Sequence, residues 1–186
     1  MMKLSNLQKV LGTSEQYLPA EDTFFLADNI ENESGELALD IGCGSGNFSI
    51  PLAKYLFSGT LYAFDKDVAM LNLITDSLKS INLNNIELKI YTETSIPLKD
   101  NILDGVFLGL TLEKSQSPNI LLNEIKRTIK QFGWLTIVSS INDLNNYGYK
   151  YIPKLKLNGM VEKLGFKRLS QRELNEKFYL SIYKCQ

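Results

Sequence analysis

Three glycines at every second position follow an apolar run that ends in an aspartate, in the stretch "LALDIGCGSGNFSIPLAKY" at 37–55. Gly42, Gly44 and Gly46 can adopt positive φ angles and allow a ligand to approach the backbone closely. Asp40, two residues before the first glycine, would repel a pyrophosphate but attract an ammonium or sulfonium group. The charge of Asp40 beside this loop therefore predicts a nucleoside ligand that carries a cationic amino-acid tail.

Two common nucleotide fingerprints fit this loop less well. A dinucleotide site has the pattern GxGxxG, and Asn47 stands at its third glycine; a P-loop needs Gly-Lys-Ser/Thr, which is absent. Asp65 ends a second apolar segment, "TLYAFD", 25 residues after Asp40. A carboxylate there can accept both hydroxyls of a ribose. Lys66 and Met70 follow it and could cover an adenine.

Composition excludes several function classes. The 186 residues include no histidine, which excludes Ser/His/Asp triads, Cys/His pairs and imidazole-ligated metals. Two cysteines are too few for a Cys-rich zinc site, so we expect no metal. A net charge of −1 gives no electrostatic reason to expect a nucleic-acid partner. No apolar run approaches the ~20 residues of a membrane span, and the start "MMKLSNLQKV" lacks a signal peptide's apolar segment, so we expect a cytoplasmic protein.

Strand-like and helix-like segments alternate along the chain. Helical spacing follows the glycine loop, and Asp67 is a candidate N-cap of the next helix. Ser117-Pro118 predicts the start of a further helix, which runs through Lys130 and is closed by Gly133. A fifth strand, "WLTIVSS", is predicted after it. The segments "FKRLSQ" and "FYLSIYKC" predict an antiparallel hairpin at one edge. The predicted fold is a three-layer α/β/α domain of about seven strands, mostly parallel, with a core at 35–186 and a helical cap at 1–34.

Five motifs in this order resemble the class I S-adenosylmethionine-dependent methyltransferases. They are "LALDIGCGSGNFSIPLA", "LYAFDKD", "IELKIYTETSIPLKDNILDGVFLGLTLE", "LLNEIKRTIKQFGWLTIVSS" and "VEKLGFKRLSQRELNEKFYLSIYK". The nearest likeness is to the ubiquinone/menaquinone-biosynthesis-like group. The resemblance implies a Rossmann-like methyltransferase fold, S-adenosylmethionine as cofactor, S-adenosylhomocysteine as product and a small-molecule methyl acceptor.

The resemblance also implies positions for the cofactor contacts. The glycine loop would contribute Asp40, Gly42, Cys43, Gly44 and Gly46, and the ribose and adenine would meet Asp65, Lys66, Met70, Thr92 and Glu93. Leu108 and Leu110 would line the floor near the sulfonium. The family usually has an acidic residue after the third strand, where this chain has Thr92 followed by Glu93, so either Glu93 takes that role or a backbone contact does.

The acceptor side is predicted from three segments: 108–114, the region around Tyr17 and the loop 141–152. The stretch "YLPAEDTFFLADNI" resembles the N-terminal segment of release-factor glutamine methyltransferases. Those enzymes carry Asn-Pro-Pro-Tyr where this chain has "LGLTLEK", which argues against methylation of an amide or an amino base. The predicted acceptor residues are Tyr17, Tyr147 and Tyr149, with Glu113 as a candidate base.

Other functions stay open at this point. The same fold could methylate protein or RNA, with the basic C-terminal third as a docking face. A non-catalytic S-adenosylmethionine-binding protein would fit the departure at Thr92. A nicotinamide dehydrogenase is disfavoured by Asn47 and Asp40.

Overall fold

The computed structural model describes residues 35–56, 58–81, 83–143 and 148–186, which form one sheet flanked by helices. The strands are β1 (Leu37–Ile41), β2 (Thr60–Asp65), β3 (Ile86–Ile90), β4 (Leu103–Gly109), β5 (Ile129–Ser140), β6 (Phe166–Glu173) and β7 (Phe178–Cys185). The helices are α1 (Ser49–Tyr55), α2 (Val68–Lys79), α3 (Thr111–Lys114), α4 (Pro118–Thr128) and α5 (Lys154–Glu162). The predicted cap at 1–34, with Tyr17, and the predicted acceptor residue Tyr147 lie outside the described residues.

The strand order is β3-β2-β1-β4-β5-β7-β6. The first five strands in this order are parallel, and β7 runs antiparallel to both β5 and β6. This arrangement confirms the predicted mostly parallel sheet with an antiparallel C-terminal hairpin. The order reverses at β1, which pairs with β2 on one side and β4 on the other, and the cleft beyond the carboxyl ends of such strands is where open α/β sheets bind ligands.

Helices cover both faces because the buried strands are apolar on both sides. Neighbouring residues of β1 point to opposite faces: Ala38 packs with Leu52 of α1, and Leu39 packs in the cluster that contains Leu121 of α4 and Leu157 of α5. Helix α2 covers the α1 face through Leu71 and Ile74. The predicted N-cap of α2 is confirmed, since the Asp67 side chain accepts a hydrogen bond from the Ala69 backbone N–H at 2.8 Å.

The boundary between α4 and β5 differs from the prediction. Helix α4 ends at Thr128, and β5 begins at Ile129 rather than at Trp134. In the pairing with β4, Ile129 faces Leu103 and Trp134 faces Gly105, so residues 130–133 form an irregularity in the strand. Phe132 there has a φ of 64°, so "QFG" turns the chain within β5 instead of closing the helix.

Gly105 of β4 makes room for the only tryptophan of the chain. A Cβ atom at Gly105 would lie 1.7 Å from Cε2 of Trp134, whose side chain packs on the α1 face of the sheet. Even a methyl group therefore cannot be added there without displacing the indole or the strand pairing.

We expect Gly105→Ala to lower the free energy of unfolding by about 1–3 kcal/mol or more, because overpacked cores respond by shifts of side chains and backbone. Gly159→Ala is the matched control: Gly159 lies inside α5, and apart from its chain neighbours and the backbone of its own helix no atom lies within 4 Å of the place that an added methyl carbon would take. It should stabilise the protein by about 0.5–1 kcal/mol through helix propensity. Denaturant unfolding of both variants measures the difference, and equal effects would contradict the packing described for Trp134.

Candidate functional site

A cavity of about 220 Å³ lies beyond the carboxyl ends of β1, β2, β3 and β4, at the reversal of strand order. Four connections that follow these strands, together with one residue after β5, supply its walls. The lining residues are Gly42, Cys43, Gly44, Ser45, Asn47, Phe48, Asp65, Lys66, Asp67, Met70, Tyr91, Gly109, Leu110, Thr111, Lys114 and Tyr149. The cavity thus contains seven predicted cofactor residues: Gly42, Cys43, Gly44, Asp65, Lys66, Met70 and Leu110.

The glycine loop uses its three glycines in two ways. All three have positive φ angles, 77° at Gly42, 56° at Gly44 and 89° at Gly46. A Cβ atom at Gly42 would lie 2.6 Å from Oγ1 of Thr111, and one at Gly46 would lie 2.7 Å from Cδ1 of Ile74. At Gly44 no atom other than those of the residue itself and its two chain neighbours lies within 4 Å of that position. Gly42 and Gly46 therefore fit the loop against its neighbours, whereas Gly44 leaves the backbone open to a ligand in the cavity.

Asp65 joins the glycine loop to the end of β2. Its Oδ2 accepts a hydrogen bond from the Gly44 backbone N–H at 2.8 Å, and its Oδ1 accepts one from the Asp67 N–H at 2.9 Å. A carboxylate has about four lone-pair sites, so the two hydroxyls of a ribose can still be accepted. The residues present therefore fit the sugar and the close backbone approach of an adenosyl ligand.

Asp40 lies behind the loop rather than in the cavity wall. It is 2% exposed, and its Oδ2 accepts a hydrogen bond from Oγ of Ser49 at 2.5 Å. Burial, with a smaller contribution from the charge of Asp65, raises the pKa of Asp40 to about 7, although the bond from Ser49 lowers it. Neither Asp40 nor Gly46 lines the cavity, although both were predicted to contact the cofactor. Burial also raises the pKa of the Cys43 thiol, so this residue lines the cavity as a neutral small side chain.

Glu93 holds three connections together at the rim of the cavity. Its carboxylate accepts hydrogen bonds from Nζ of Lys66 at 2.5 Å, Oγ of Ser115 at 2.7 Å and the Ser117 and Gln116 N–H groups at 3.0 and 3.3 Å. Although burial raises its pKa, these bonds lower the pKa of Glu93 to about 2. Both oxygens of Glu93 are engaged in the protein, and Glu93 does not line the cavity.

The third strand presents a different residue to the cavity from those predicted. Thr92 is exposed, pairs with Ser95 and does not line the cavity. Tyr91 is 3% exposed and does line it. The prediction missed Tyr91 because it followed the position of the family's acidic residue, whereas the usable signal was an aromatic residue directly after a strand.

The two leucines predicted to line the floor of the site, at the end of β4, lie in different surroundings. Leu110 lines the cavity and has a left-handed φ of 59°, with its N–H donating to the carbonyl of Val138 at 3.0 Å. Leu108 is fully buried in the cluster that packs under α4 and α5, so its side chain is not part of the cavity wall.

Of the predicted acceptor residues, Tyr149 lines the cavity and is 1% exposed. Glu113 does not: it is 1% exposed, and its Oε1 accepts hydrogen bonds from Oγ of Ser139 and from the Ser140 N–H. Its carbonyl oxygen accepts from the Lys150 N–H at 2.8 Å. Burial raises the pKa of Glu113. Glu113 therefore ties α3 to β5 and to the connection that carries Tyr149, and its carboxylate does not reach the cavity as a base.

Several lining residues were not predicted as site residues, among them Phe48, Tyr91, Thr111 and Lys114. Phe48 packs on Phe107 with ring centroids 4.6 Å apart, which fixes it where α1 begins. Lys114 Nζ lies 4.8 Å from the ring centroid of Tyr149. The sequence indicated Lys114 only through its place in "LGLTLEK", the segment that was predicted to form part of the acceptor side.

Within the described ranges, no group of three or more Cys, Asp or Glu side chains is arranged to hold a metal ion. None of the helices that the structure describes combines the length and apolar character needed to cross a bilayer.

Comparison with known proteins gives consistent results. A family described as a methyltransferase domain matches residues 39–137. A demethylmenaquinone methyltransferase of Lactobacillus johnsonii is 27% identical over 77% of this chain and 72% of its own length. The protein of the same name from Oceanobacillus iheyensis is 28% identical over 58% of this chain, which spans 46% of that relative.

Among solved structures, a SAM-dependent methyltransferase from Aquifex aeolicus matches with a TM-score of 0.79, at 23% identity and full coverage of both chains. This likeness shows the fold. The family match covers more than half of the 186 residues and includes the glycine loop and Asp65. The chain therefore belongs to the methyltransferase domain family and is a class I S-adenosylmethionine-dependent methyltransferase.

Proposed function

We propose that this methyltransferase transfers a methyl group to a small-molecule acceptor that binds beside α3 and Tyr149. The observation that carries the proposal is that Gly44, Asp65 and the residues after β4 line the same small cavity. When bound, S-adenosylmethionine supplies an electrophilic methyl group on a sulfonium centre. The protein then has to hold a nucleophile in line with that methyl group and keep water out.

The proposed roles of the donor-side residues follow from their contacts. Asp65 accepts the ribose hydroxyls while it holds the Gly44 N–H, so the sugar and the glycine loop are positioned by one carboxylate. Asp40 supplies a negative charge close behind the loop, where it favours the cationic tail and the sulfonium. Lys66, Met70 and Tyr91 enclose the adenine.

The acceptor side is proposed at Leu110, Lys114 and Tyr149, with Tyr17 and Tyr147 as further candidates from the sequence. Tyr149 is buried, and burial raises the pKa of its phenol, so it acts as a neutral aromatic wall. The names of the two relatives refer to a quinone, and a flat, conjugated-ring acceptor of that general kind is consistent with a wall built from Tyr149. A cytoplasmic location and a single domain that includes 1–34 stay predictions of the sequence.

Asp65→Ala should weaken binding of S-adenosylhomocysteine by at least about tenfold, since hydrogen bonds to a charged group contribute about 1.5–3 kcal/mol each. Titration calorimetry measures the effect, with NAD as a parallel ligand that should not bind. Asp76→Ala is the matched control, because Asp76 is an exposed carboxylate on α2 outside the cavity. Tighter binding of NAD than of S-adenosylhomocysteine would refute the assignment of the site.

Binding of S-adenosylhomocysteine should strengthen by about tenfold between pH 6 and pH 8. Asp40 has a pKa of about 7 in the free protein. The cationic tail favours the ionised form, so binding below pH 7 must release a proton, at a cost of about 1.4 kcal/mol per pH unit. Asp40→Asn should flatten this profile. Calorimetry in two buffers of different ionisation enthalpy counts the released proton, and a flat profile for the unaltered protein would contradict the role of Asp40.

Glu93→Ala should weaken the binding of two ligands to the same degree: S-adenosylhomocysteine and its analogue that lacks the adenine amino group. The expected loss is about three- to tenfold in affinity, or roughly 1 kcal/mol of binding free energy. The reason is that Glu93 positions Lys66 and the residues 115–117 and has both oxygens engaged. A direct contact with the adenine amino group predicts instead that only the natural ligand loses affinity. Calorimetric titration with both ligands separates the two roles.

A further inference from the structure

Among the residues that the structure describes, four charged side chains line the cavity, and three of them are engaged within the protein. Asp65 accepts from the Gly44 and Asp67 N–H groups, Asp67 accepts from the Ala69 N–H, and Lys66 pairs with Glu93. Lys114 differs from them: within the described residues its ammonium has no carboxylate partner, and it lies over the face of the Tyr149 ring. The cavity therefore presents one cation that has no ion-pair partner among the described residues.

The backbone on both sides of Lys114 is fixed by long-range hydrogen bonds. Glu113 is held by Ser139 and Ser140 of β5, and Ser115 donates its hydroxyl to Glu93. The ammonium is thus presented from a tethered segment, although Lys114 is exposed at the mouth of the cavity. Surrounding protein atoms lower the pKa of Lys114 by desolvation, against a smaller raising effect of Asp65. An ammonium on a tethered segment, with no carboxylate partner among the described residues, is favourable for an oxyanion.

The position of Lys114 along the sheet assigns it to one side of the cavity. The proposed donor contacts come from the connections after β1, β2 and β3, whereas Lys114 and Tyr149 follow β4 and β5, on the other side of β1 in the strand order. Resting on the proposed function, we propose that Lys114 binds an acidic oxygen of the methyl acceptor, so that the acceptor is a phenol, an enol or a carboxylic acid bound as its anion.

This assignment also fits the charge balance of the transfer. A lone pair of the anionic acceptor forms the new bond to the methyl carbon, and the electrons of the breaking S–C bond go to sulfur. A sulfonium and an anion are thereby converted to a neutral thioether and a neutral methylated product. Lys114 keeps the acceptor oxygen ionised when the methyl group is transferred, so the transfer requires no separate base. This agrees with the position of Glu113, which is buried and does not line the cavity.

The test uses two ligand pairs and the full chain. The first pair is 2-naphthoate and 2-naphthamide, which share a ring system and differ in charge, each titrated by calorimetry in saturating S-adenosylhomocysteine. The second pair is S-adenosylhomocysteine and 5′-methylthioadenosine, which differ in the amino-acid tail and its carboxylate. The variants are Lys114→Met, Lys114→Arg and, as the matched charge control, Lys167→Met, which alters an exposed residue on the edge strand β6.

We expect the unaltered protein and the Lys167→Met variant to bind 2-naphthoate at least about tenfold more tightly than 2-naphthamide, the range of a charge-assisted hydrogen bond. Lys114→Met should abolish this preference, Lys114→Arg should keep most of it, and neither should change the affinity for S-adenosylhomocysteine. That unchanged affinity also shows that the variants are folded.

Three results would overturn the inference. In the first, the unaltered protein shows no preference for 2-naphthoate, and in the second, Lys114→Met keeps the preference. In the third, Lys114→Met loses affinity for S-adenosylhomocysteine but not for 5′-methylthioadenosine, which assigns Lys114 to the carboxylate of the donor. Failure of the unaltered protein to bind S-adenosylhomocysteine at all is a different outcome, because it contradicts the donor site itself.

Discussion

The hydrogen bond between the Asp65 carboxylate and the Gly44 N–H is the contact on which the rest of the site depends. It joins the connection after β1 to the end of β2, so two neighbouring parallel strands determine the position of one loop. The loop can take this path because Gly42, Gly44 and Gly46 have positive φ angles, and two of them lie against Thr111 and Ile74. The pairing of β1 with β2 and the conformation of the glycine loop therefore determine together which acceptor positions of Asp65 remain available to a ligand.

A second layer of contacts determines the shape of the cavity from the other side. Glu93 connects the segments after β2, β3 and β4, and Glu113 connects α3 to β5 and to the segment that carries Tyr149. Both carboxylates were predicted as groups that would meet a ligand. In the folded chain each is held by protein donors, which makes them positioning groups for Lys66 and Lys114. The charges that face the ligand are therefore set by which partners the neighbouring loops supply.

Much of the fold was predictable because its signals are local. Apolar periodicity placed the strands and helices, the Asp67 N-cap is confirmed, and the segments "FKRLSQ" and "FYLSIYKC" correctly predicted an antiparallel hairpin. The predicted end of α4 was wrong, because the prediction relied on the rule that a glycine after a helical pattern usually closes a helix. Gly133 instead lies in an irregular part of β5 opposite β4, where Trp134 must pack over Gly105.

The sequence by itself determined the succession of strands and helices along the chain, the glycine loop and the aspartate that ends the second strand, since these depend on residue type and short spacing. Tertiary structure alone decided which of the candidate groups face the cavity. Tyr91 and Lys114 line it, whereas Glu93, Glu113 and Leu108 do not. The physical reason is that hydrogen bonds such as Ser115 to Glu93 and Ser139 to Glu113 join residues more than 20 positions apart. Such contacts depend on how the loops meet above the sheet, and local spacing carries no information about that.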